Sequence, residues 1–154
     1  MSERHRSPQD ATVELWRSAG VLVYRRTVGE ILWIVVDSRL TRARHHWEFP
    51  KGLVAAGESE EDAAVRECQE ECGIRLSTAD LHPEFREVVT WTLRRKRSVR
   101  REVTYFFAET RQEETSHDQE IQEVRWCSTE EALEVLAHDD TRRVLHHALY
   151  YLEN

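Results

Sequence analysis

The chain has 154 residues, enough for one domain with a proper hydrophobic core. Its formal net charge of −7 favours solubility and argues against a general nucleic-acid-binding protein. No apolar run approaches the roughly 18 residues of a membrane-spanning helix, and the N-terminal sequence MSERHRSPQDATVE lacks the apolar core of a signal peptide. Three cysteines are an odd number, so we expect free thiols in a cytoplasmic protein.

The first half of the chain predicts a β-hairpin after a polar start. Residues 1–13 are polar and include Pro8, so we expect a disordered segment followed by a single domain over residues 14–154. Trp16–Arg26 and Ile31–Asp37 are apolar, β-branched runs around a short turn that contains a glycine, which is typical of a hairpin. The second run is too continuously apolar to face water on one side, so we expect it inside the sheet.

The other predicted elements alternate between strands and helices. Runs of apolar residues predict the strands, and a Ser128–Glu131 capping box followed by helical spacing predicts the C-terminal helices. These elements are a short strand over His45–Pro50, long strands over Leu81–Leu93 and Val99–Glu109, a strand over Ile121–Cys127, a short helix to about Ala137 and a helix over Thr141–Glu153. This order indicates an α/β or α+β fold.

A basic turn joins the two long strands. It holds six cations within eight residues, namely Arg94, Arg95, Lys96, Arg97, Arg100 and Arg101. One interpretation is a solvated hairpin tip. The other is a phosphate clamp, since arginine side chains match phosphate oxygens. Arg101 lies lower on the strand and is therefore our candidate to reach a ligand.

The most informative stretch is GLVAAGESEEDAAVRECQEECGI, residues 52–74. Ser59 as N-cap, with Asp62 three residues later, and Gly73 as C-terminal glycine predict a helix over Ser59–Cys72.

The two sides of this helix differ. Glu67, Glu70 and Glu71 lie at i, i+3 and i+4, so they share one helical face, which we expect to point outward into a cleft. Cys68 and Cys72, together with Val65, lie on the opposite side, which can pack on a core. Like charges at this spacing repel by a few tenths of a kcal/mol per pair, and no lysine offsets them there. The face is either a solvated acidic surface or a site for a hard divalent cation such as Mg²⁺.

The order of fixed residues resembles the Nudix box, G-x5-E-x7-R-E-U-x-E-E-x-G-U, in which U is an aliphatic residue. Gly52, Glu58, Arg66-Glu67, Glu70-Glu71 and Gly73-Ile74 match it, and the only departure is Cys68 in the first U position. Cysteine behaves as a small buried hydrophobe, so the departure affects packing and not chemistry. The resemblance implies the Nudix fold, a mixed β-sheet sandwiched between α-helices, and hydrolysis of a pyrophosphate bond in a nucleoside diphosphate linked to another group.

Further segments resemble one branch of this family, the asymmetrically cleaving diadenosine tetraphosphate hydrolases. These segments are SAGVLVYRR, HHWEFPKG, RREVTYFFAE and EIQEVRW. Leu53 departs from the animal-type members, which usually carry His after PKG. The departure affects the expected nucleotide pocket and not the hydrolysis. The implied products from diadenosine tetraphosphate are ATP and AMP.

The resemblance also implies roles for individual residues. The metal ligands would be the Gly52 carbonyl, Glu67, Glu70 and Glu71, with Glu70 or Glu120 as the catalytic base and with Glu58 and Arg66 as structural support. The substrate contacts would be His46 and Lys51 at the phosphates and Tyr105 stacking on adenine, with Arg101 added from the basic turn and Trp91 as a weaker stacking candidate. Two of these have plain alternatives, because Glu120 could be one more acid in an acidic loop and Tyr105 could be a core residue.

The expected cofactor is Mg²⁺, with Mn²⁺ as an alternative, and the expected ligand is a small dinucleoside polyphosphate. We expect a monomer or weak dimer that forms no stable complex with nucleic acid or membrane. Two other functions remain open at this point. One is hydrolysis of RNA 5′ ends or inositol pyrophosphates, which the basic turn would also suit. The other is a nucleotide-binding sensor, although such modules often lose a box glutamate and none is lost here.

Overall fold

The computed structural model describes residues 13–39, 44–94 and 98–153. The tip of the basic turn, residues 95–97, lies outside these ranges. The expected disordered start also lies outside them, except for Val13, which begins the first strand.

Within the described residues, seven strands and three α-helices alternate in the expected order. The strands are β1 (Val13–Thr27), β2 (Glu30–Asp37), β3 (Trp47–Glu48), β4 (Lys51–Leu53), β5 (Glu87–Arg94), β6 (Ser98–Glu109) and β7 (Glu123–Ser128). The helices are α1 (Glu60–Cys72), α2 (Thr129–Val135) and α3 (Asp139–Glu153). No described helix is both long and apolar enough to cross a membrane.

One mixed sheet contains all of these strands, in the order β3-β2-β1-β6-β5, with β4 paired to β1 and β7 paired to β2. The pairing of β1 with β6 is parallel and the other pairings are antiparallel. The expected hairpin is present, because β1 and β2 join through a turn in which Gly29 has a φ of 85°. As expected, β2 lies inside the sheet: β7 pairs along one of its edges, and β1 and β3 pair with successive parts of the other edge.

Alternation along β1 gives the sheet two apolar faces. Val21 and Val23 pack in one cluster with Ala64 and Cys68 of α1. Leu22 packs in the other cluster, together with residues of α2 and α3. Because successive side chains of a strand point to opposite faces, one long strand supplies both layers. The helices therefore sandwich the sheet, which confirms the predicted architecture.

Two predicted strands are shorter in the structure. The segment that starts at Leu81 forms a single bridge to Ala108, and the continuous strand starts only at Glu87. Pro83 has no backbone N–H to give to a ladder, which accounts for the interruption. The predicted strand over His45–Pro50 is reduced to β3, Trp47–Glu48. All three cysteines are buried and free, as expected.

Truncation of the core that α3 forms with the sheet tests this packing. Leu145 is fully buried there, so Leu145→Ala should lower the free energy of unfolding by about 2–5 kcal/mol. Val28 at the tip of the β1–β2 hairpin is fully exposed, and Val28→Ala is the matched control, with an expected change within about 0.5 kcal/mol. Urea denaturation measures both, and equal effects would contradict the assignment of this core.

Candidate active site

The acidic helix is fixed at both ends as the sequence predicts. The Ser59 hydroxyl accepts a hydrogen bond from the Asp62 amide at 3.0 Å. At the other end Gly73 has a φ of 76°, and its amide donates to the Gln69 carbonyl at 2.9 Å. These caps fix where α1 begins and ends, and packing of Ala64 and Cys68 against the sheet sets which way its glutamates face.

Glu67 lies against the backbone of β4. A Cβ atom added to Gly52 would overlap the Glu67 carboxylate, so only glycine permits this approach. Burial raises the pKa of Glu67, the Arg66 guanidinium counteracts this, and the charges of Glu70 and Glu120 raise it further. The carboxylate therefore lies close to the Gly52 backbone in a site with several neighbouring acidic side chains.

Glu67 and Glu71 share one face of α1, as their spacing predicts, but both side chains lie against β4, so the expectation that all three glutamates point outward holds only for Glu70. Glu71 is the more deeply buried of the pair. Its side chain is only 6% exposed, and its Oε1 accepts a hydrogen bond from the Lys51 amide at 3.0 Å. Burial is the main cause that raises its pKa to about 8, and the charges of Glu48 and Glu67 add to it. Glu71 thus joins α1 to the start of β4.

Arg66 offsets part of the negative charge of the α1 glutamates. Its guanidinium donates two hydrogen bonds to Glu58, at 2.8 and 2.9 Å, one to Glu67 at 2.8 Å and one to the Leu53 carbonyl at 3.0 Å. Its contact with Glu70 is longer, at 3.3 Å. The hydrogen bonds from Arg66 lower the pKa of Glu58 to about 2. Arg66 and Glu58 thus tie the loop before α1 to the helix.

The donors at this site suit a hard divalent cation. The side chains of Glu67, Glu70 and Glu71 and the Gly52 carbonyl offer oxygen atoms, the ligands that Mg²⁺ prefers. Burial, with a smaller contribution from neighbouring carboxylates, raises the pKa values of Glu67 and Glu71, so a cation bound there would stabilise their ionised forms. Among the described residues, no three acidic, histidine or cysteine side chains already converge closely enough to hold an ion.

A cleft of about 540 Å³ brings several of the predicted residues together. Glu120, on the loop before β7, and Glu71 both line it, together with the basic side chains of Lys51 and Arg101. It is lined by Ser38, His46, Glu48, Lys51, Glu71, Arg101, Glu120 and Ile121. Negative charge from α1 and positive charge from Lys51 and Arg101 therefore meet in one cavity.

A second pocket, of about 210 Å³, adjoins this cleft and is more aromatic. Four of its residues also line the cleft, namely His46, Glu48, Lys51 and Arg101. Its other residues are Trp91, Thr92, Tyr105, His138 and Thr141. The two cavities thus form a continuous site, with carboxylates at one end and aromatic rings at the other.

Tyr105 does not fit the role of a base-stacking residue in this conformation. Its side chain is fully buried, and its ring meets Phe49 edge-on at 6.3 Å between centroids. Its hydroxyl is also buried and has no hydrogen-bond partner among the described residues. Trp91 is only partly buried on the wall of the same pocket, so its ring is the more accessible surface.

Sequence reasoning missed Glu48 and His138. Glu48 is buried. Its carboxylate lies 3.3 Å from the Lys51 ammonium and 3.9 Å from His46 Nε2. His46 and His138 share a hydrogen bond of 3.0 Å between their Nε2 atoms, and burial together with His46 lowers the pKa of His138. Glu48 could have been noticed as an acid between Trp47 and Phe49, but nothing near His138 in the sequence indicates its position.

Residues 14–148 match the family described as NUDIX domain. The chain belongs to the Nudix hydrolase family. The asymmetrical bis(5′-nucleosyl)-tetraphosphatase of Rattus norvegicus is 30% identical over 142 residues, which cover 88% of this chain and 95% of that protein. An RNA pyrophosphohydrolase of Shewanella piezotolerans is 36% identical over 58 residues, 38% of this chain and 30% of that protein.

A solved structure supports the same fold. The crystal structure of a Caenorhabditis elegans Ap4A hydrolase binary complex superimposes with a TM-score of 0.73. The alignment covers 90% of this Nudix chain and 98% of that protein at 24% sequence identity. The likeness extends over nearly the whole length of both chains, so the predicted Nudix fold is confirmed.

Glu71→Gln should stabilise the metal-free protein in a pH-dependent way. The folded state raises the pKa of Glu71 from 4.5 to about 8, so it binds this proton more tightly than the unfolded state does. Ionisation therefore costs folding free energy as pH rises through this window. At pH 9 the variant should be more stable than the wild type by on the order of 1–3 kcal/mol, and at pH 4 the difference should vanish.

Urea denaturation in the presence of a chelator measures this effect. Glu70→Gln is the matched control because the Glu70 side chain is 48% exposed, and it should change stability much less. A Glu71→Gln variant that is less stable than the wild type at pH 9 would show that the buried carboxylate is not a source of strain.

Proposed function

We propose that this Nudix hydrolase cleaves diadenosine tetraphosphate asymmetrically to ATP and AMP with the help of Mg²⁺. The observation that carries the proposal is the continuous site, in which an acidic cleft and an aromatic pocket share Lys51 and Arg101. A substrate with phosphates and a nucleoside would meet matching chemistry along its length. The likeness to the rat tetraphosphatase over 88% of this chain supports the same substrate class.

In this proposal the two cavities bind different parts of the substrate. The polyphosphate lies beside Lys51 and Arg101, whose positive charges offset its negative charge. One adenosine enters the pocket beside Trp91, with its base against the indole. His46, which lines both cavities, would contact the phosphates between them.

The metal would be held by the side chains of Glu67, Glu70 and Glu71 and by the Gly52 carbonyl. When bound, Mg²⁺ neutralises phosphate charge and lowers the pKa of a coordinated water. Glu70 or Glu120 removes the proton from the attacking water. The water oxygen forms a bond to the phosphorus next to adenosine, and the bond from that phosphorus to the bridging oxygen breaks. AMP is released with the new oxygen, and Lys51 and Arg101 stabilise the departing ATP.

The second candidate activity is hydrolysis at RNA 5′ ends. The observation that favours it is the match of 58 residues to the Shewanella RNA pyrophosphohydrolase. The match covers only 38% of this chain, so it is weaker support than the rat enzyme provides. Inositol pyrophosphates would be a further polyanionic substrate for the same catalytic groups. A sensor without activity is disfavoured because all box glutamates are present.

We further propose that the protein acts as a cytoplasmic monomer or weak dimer. Three buried free cysteines suit a reducing compartment.

Product analysis in ¹⁸O-labelled water tests the proposed reaction directly. With Mg²⁺, diadenosine tetraphosphate should yield unlabelled ATP and AMP that carries one ¹⁸O, because the water attacks the phosphorus next to adenosine. Capped RNA, triphosphorylated RNA and an inositol pyrophosphate serve as comparison substrates. If the ¹⁸O appears in ATP instead, the water attacks the other phosphorus of the cleaved bond. If only a comparison compound is hydrolysed, that compound and not diadenosine tetraphosphate is the substrate.

Gly52→Ala tests the close approach of Glu67 to the backbone. The new methyl group would displace the Glu67 carboxylate, and turnover should fall by roughly 10²-fold, since a displacement of this size misplaces the reacting groups. Gly29→Ala is the matched control, because it adds the same methyl group at a turn where no atom beyond the two chain neighbours lies within 4 Å of it. It should cost about 1 kcal/mol of stability and leave turnover unchanged. Equal turnover in the two variants would contradict the role of Gly52.

A further inference from the structure

Two tryptophans flank Arg101 on neighbouring strands. Trp16 of β1 pairs with Arg101 of β6, and Trp91 of β5 pairs with the same residue from the other side. Paired residues on adjacent strands place their side chains on the same face of the sheet. The Arg101 guanidinium lies 5.9 Å from the centre of the Trp16 ring. One face of the sheet therefore carries an aromatic residue, a cation and a second aromatic residue in a row.

The Trp91 side of this row belongs to the pocket described above, but the Trp16 side does not. Trp16 lines a separate groove of about 350 Å³, here called the Trp16 groove, with Leu15, Arg17, Leu53 and Val54. Its apolar side chains are unusually accessible, with exposures of 39% for Trp16, 51% for Leu15 and 52% for Leu53. Contiguous exposed apolar surface of this kind marks a binding site more often than scattered residues do.

The Trp16 groove is continuous with the catalytic site. Leu53 follows Lys51 and Gly52 in β4, and its pairing with Ser18 puts it on the same face as Trp16. Arg101 contacts Trp16 and also lines both cavities of the catalytic site. A ligand in the groove and a ligand in the Trp91 pocket would therefore be separated only by the cationic centre of the site.

We propose that the Trp16 groove binds the second nucleoside of a dinucleoside polyphosphate, with its base stacked on Trp16. This inference rests on the proposed function and extends it, because it assigns a subsite to the end of the substrate that leaves as ATP. Leu53 and Val54 would cover the base from the side of β4. The groove would then distinguish substrates that carry nucleosides at both ends from substrates that carry only one.

Charge and spacing both favour a nucleoside in this groove. Adjacent strands lie about 4.8 Å apart, so the backbones that carry Trp16 and Trp91 lie roughly 10 Å apart, with Arg101 between them. That arrangement matches two bases joined through a chain of phosphates. The Nε atom of Arg101 is buried and has no hydrogen-bond partner among the described residues, so the side chain keeps a donor for a ligand.

The groove itself is poorly suited to phosphate. Its one cation, Arg17, lies 2.6 Å from Glu60 and is thus already paired. The remaining residues that line the groove are apolar. Any nucleobase can stack on an exposed indole through its flat face. A phosphate, in contrast, would find no unpaired cationic side chain among the residues that line the groove. The occupant that fits is therefore the base and not a further phosphate.

The test compares diadenosine tetraphosphate with adenosine 5′-tetraphosphate, which has the same phosphates but lacks the second nucleoside. Trp16→Ala should raise KM for diadenosine tetraphosphate roughly tenfold, the loss expected for one base–aromatic stack. It should leave KM for adenosine tetraphosphate and both kcat values within about twofold of wild type. Trp16→Phe should restore most of the affinity, and Leu53→Ser should show a smaller effect of the same selectivity.

Val88→Ala is the matched control, since Val88 is a similarly exposed apolar residue, at 47%, outside the groove. Its KM values should equal those of the wild type. Thermal unfolding of each variant verifies that the fold is intact. If Trp16→Ala raises KM for both substrates equally, Trp16 acts through Arg101 and the nucleoside subsite is refuted. If neither KM changes, the groove does not contact substrate.

Failure of the proposed function would be visible separately. If the wild-type protein hydrolyses neither compound, the proposed function is wrong. Equilibrium binding of the two compounds, followed by tryptophan fluorescence with Mg²⁺ present, then decides the inference alone. Tighter binding of diadenosine tetraphosphate that is lost in Trp16→Ala would sustain the Trp16 groove as a nucleoside site. Equal binding of both compounds would refute it.

Discussion

The contact between α1 and the backbone of β4 is the constraint on which the rest of the site depends. Glu67 occupies the space in which any other residue at position 52 would place a Cβ atom. Glu71 accepts a hydrogen bond from the Lys51 amide, so the helix is attached to the same short strand at two points. This contact puts both carboxylates against the backbone of β4, and the alternation of the strand directs the Lys51 side chain to its opposite face.

The electrostatics of the site follow from this packing. Burial of Glu71, together with the charges of Glu48 and Glu67, raises its pKa to about 8. Ionisation of this carboxylate in the folded protein therefore costs folding free energy. Arg66 relieves part of the repulsion through Glu58 and Glu67 but leaves Glu71 without a cationic side chain in hydrogen-bond contact among the described residues. A bound cation would offset the repulsion between these carboxylates when they are ionised.

The sequence predicts the fold and the acidic half of the site well, because both depend on local patterns. The box spacing, the caps at Ser59 and Gly73 and the alternation in β1 each act over a few residues. The sequence predicts the aromatic half only in part: Trp91 and His46 are candidates there, but Glu48 and His138 join them only through the topology. His138 reaches His46 across 92 positions of the chain.

Two side chains, Glu71 and Tyr105, are more buried than an exposed ligand-binding role requires, each for a specific physical reason. Helical spacing puts Glu71 on the same face as Glu67, as predicted, but its burial depends on β4, whose Lys51 amide donates to its carboxylate. The burial of Tyr105 depends on what covers β6. Alternation places its ring on the face that α2 and α3 cover, and there it packs against Phe49. Neither effect can be read from the residue's own neighbourhood in sequence.

The position of the cleft follows from how β1 changes partner. Along one edge, β1 pairs with β4 over residues 18–20 and with β2 over residues 24–27. Between these two pairings the Val21 amide donates to the Pro50 carbonyl at 3.1 Å, and a Cβ atom on Gly20 would meet Pro50, Lys51 and Tyr105. The chain can therefore turn sharply at Pro50 and lie close against β1.

This turn separates β3 from β4 and leaves a gap between them in which the site lies. Glu48 precedes the turn and Lys51 follows it, so their side chains meet in the gap and line both cavities. The parallel partner β6 brings Arg101 to the other side of β1. Negative charge from α1 and positive charge from Lys51 and Arg101 thus meet at the gap between β3 and β4, where the acidic cleft joins the aromatic pocket.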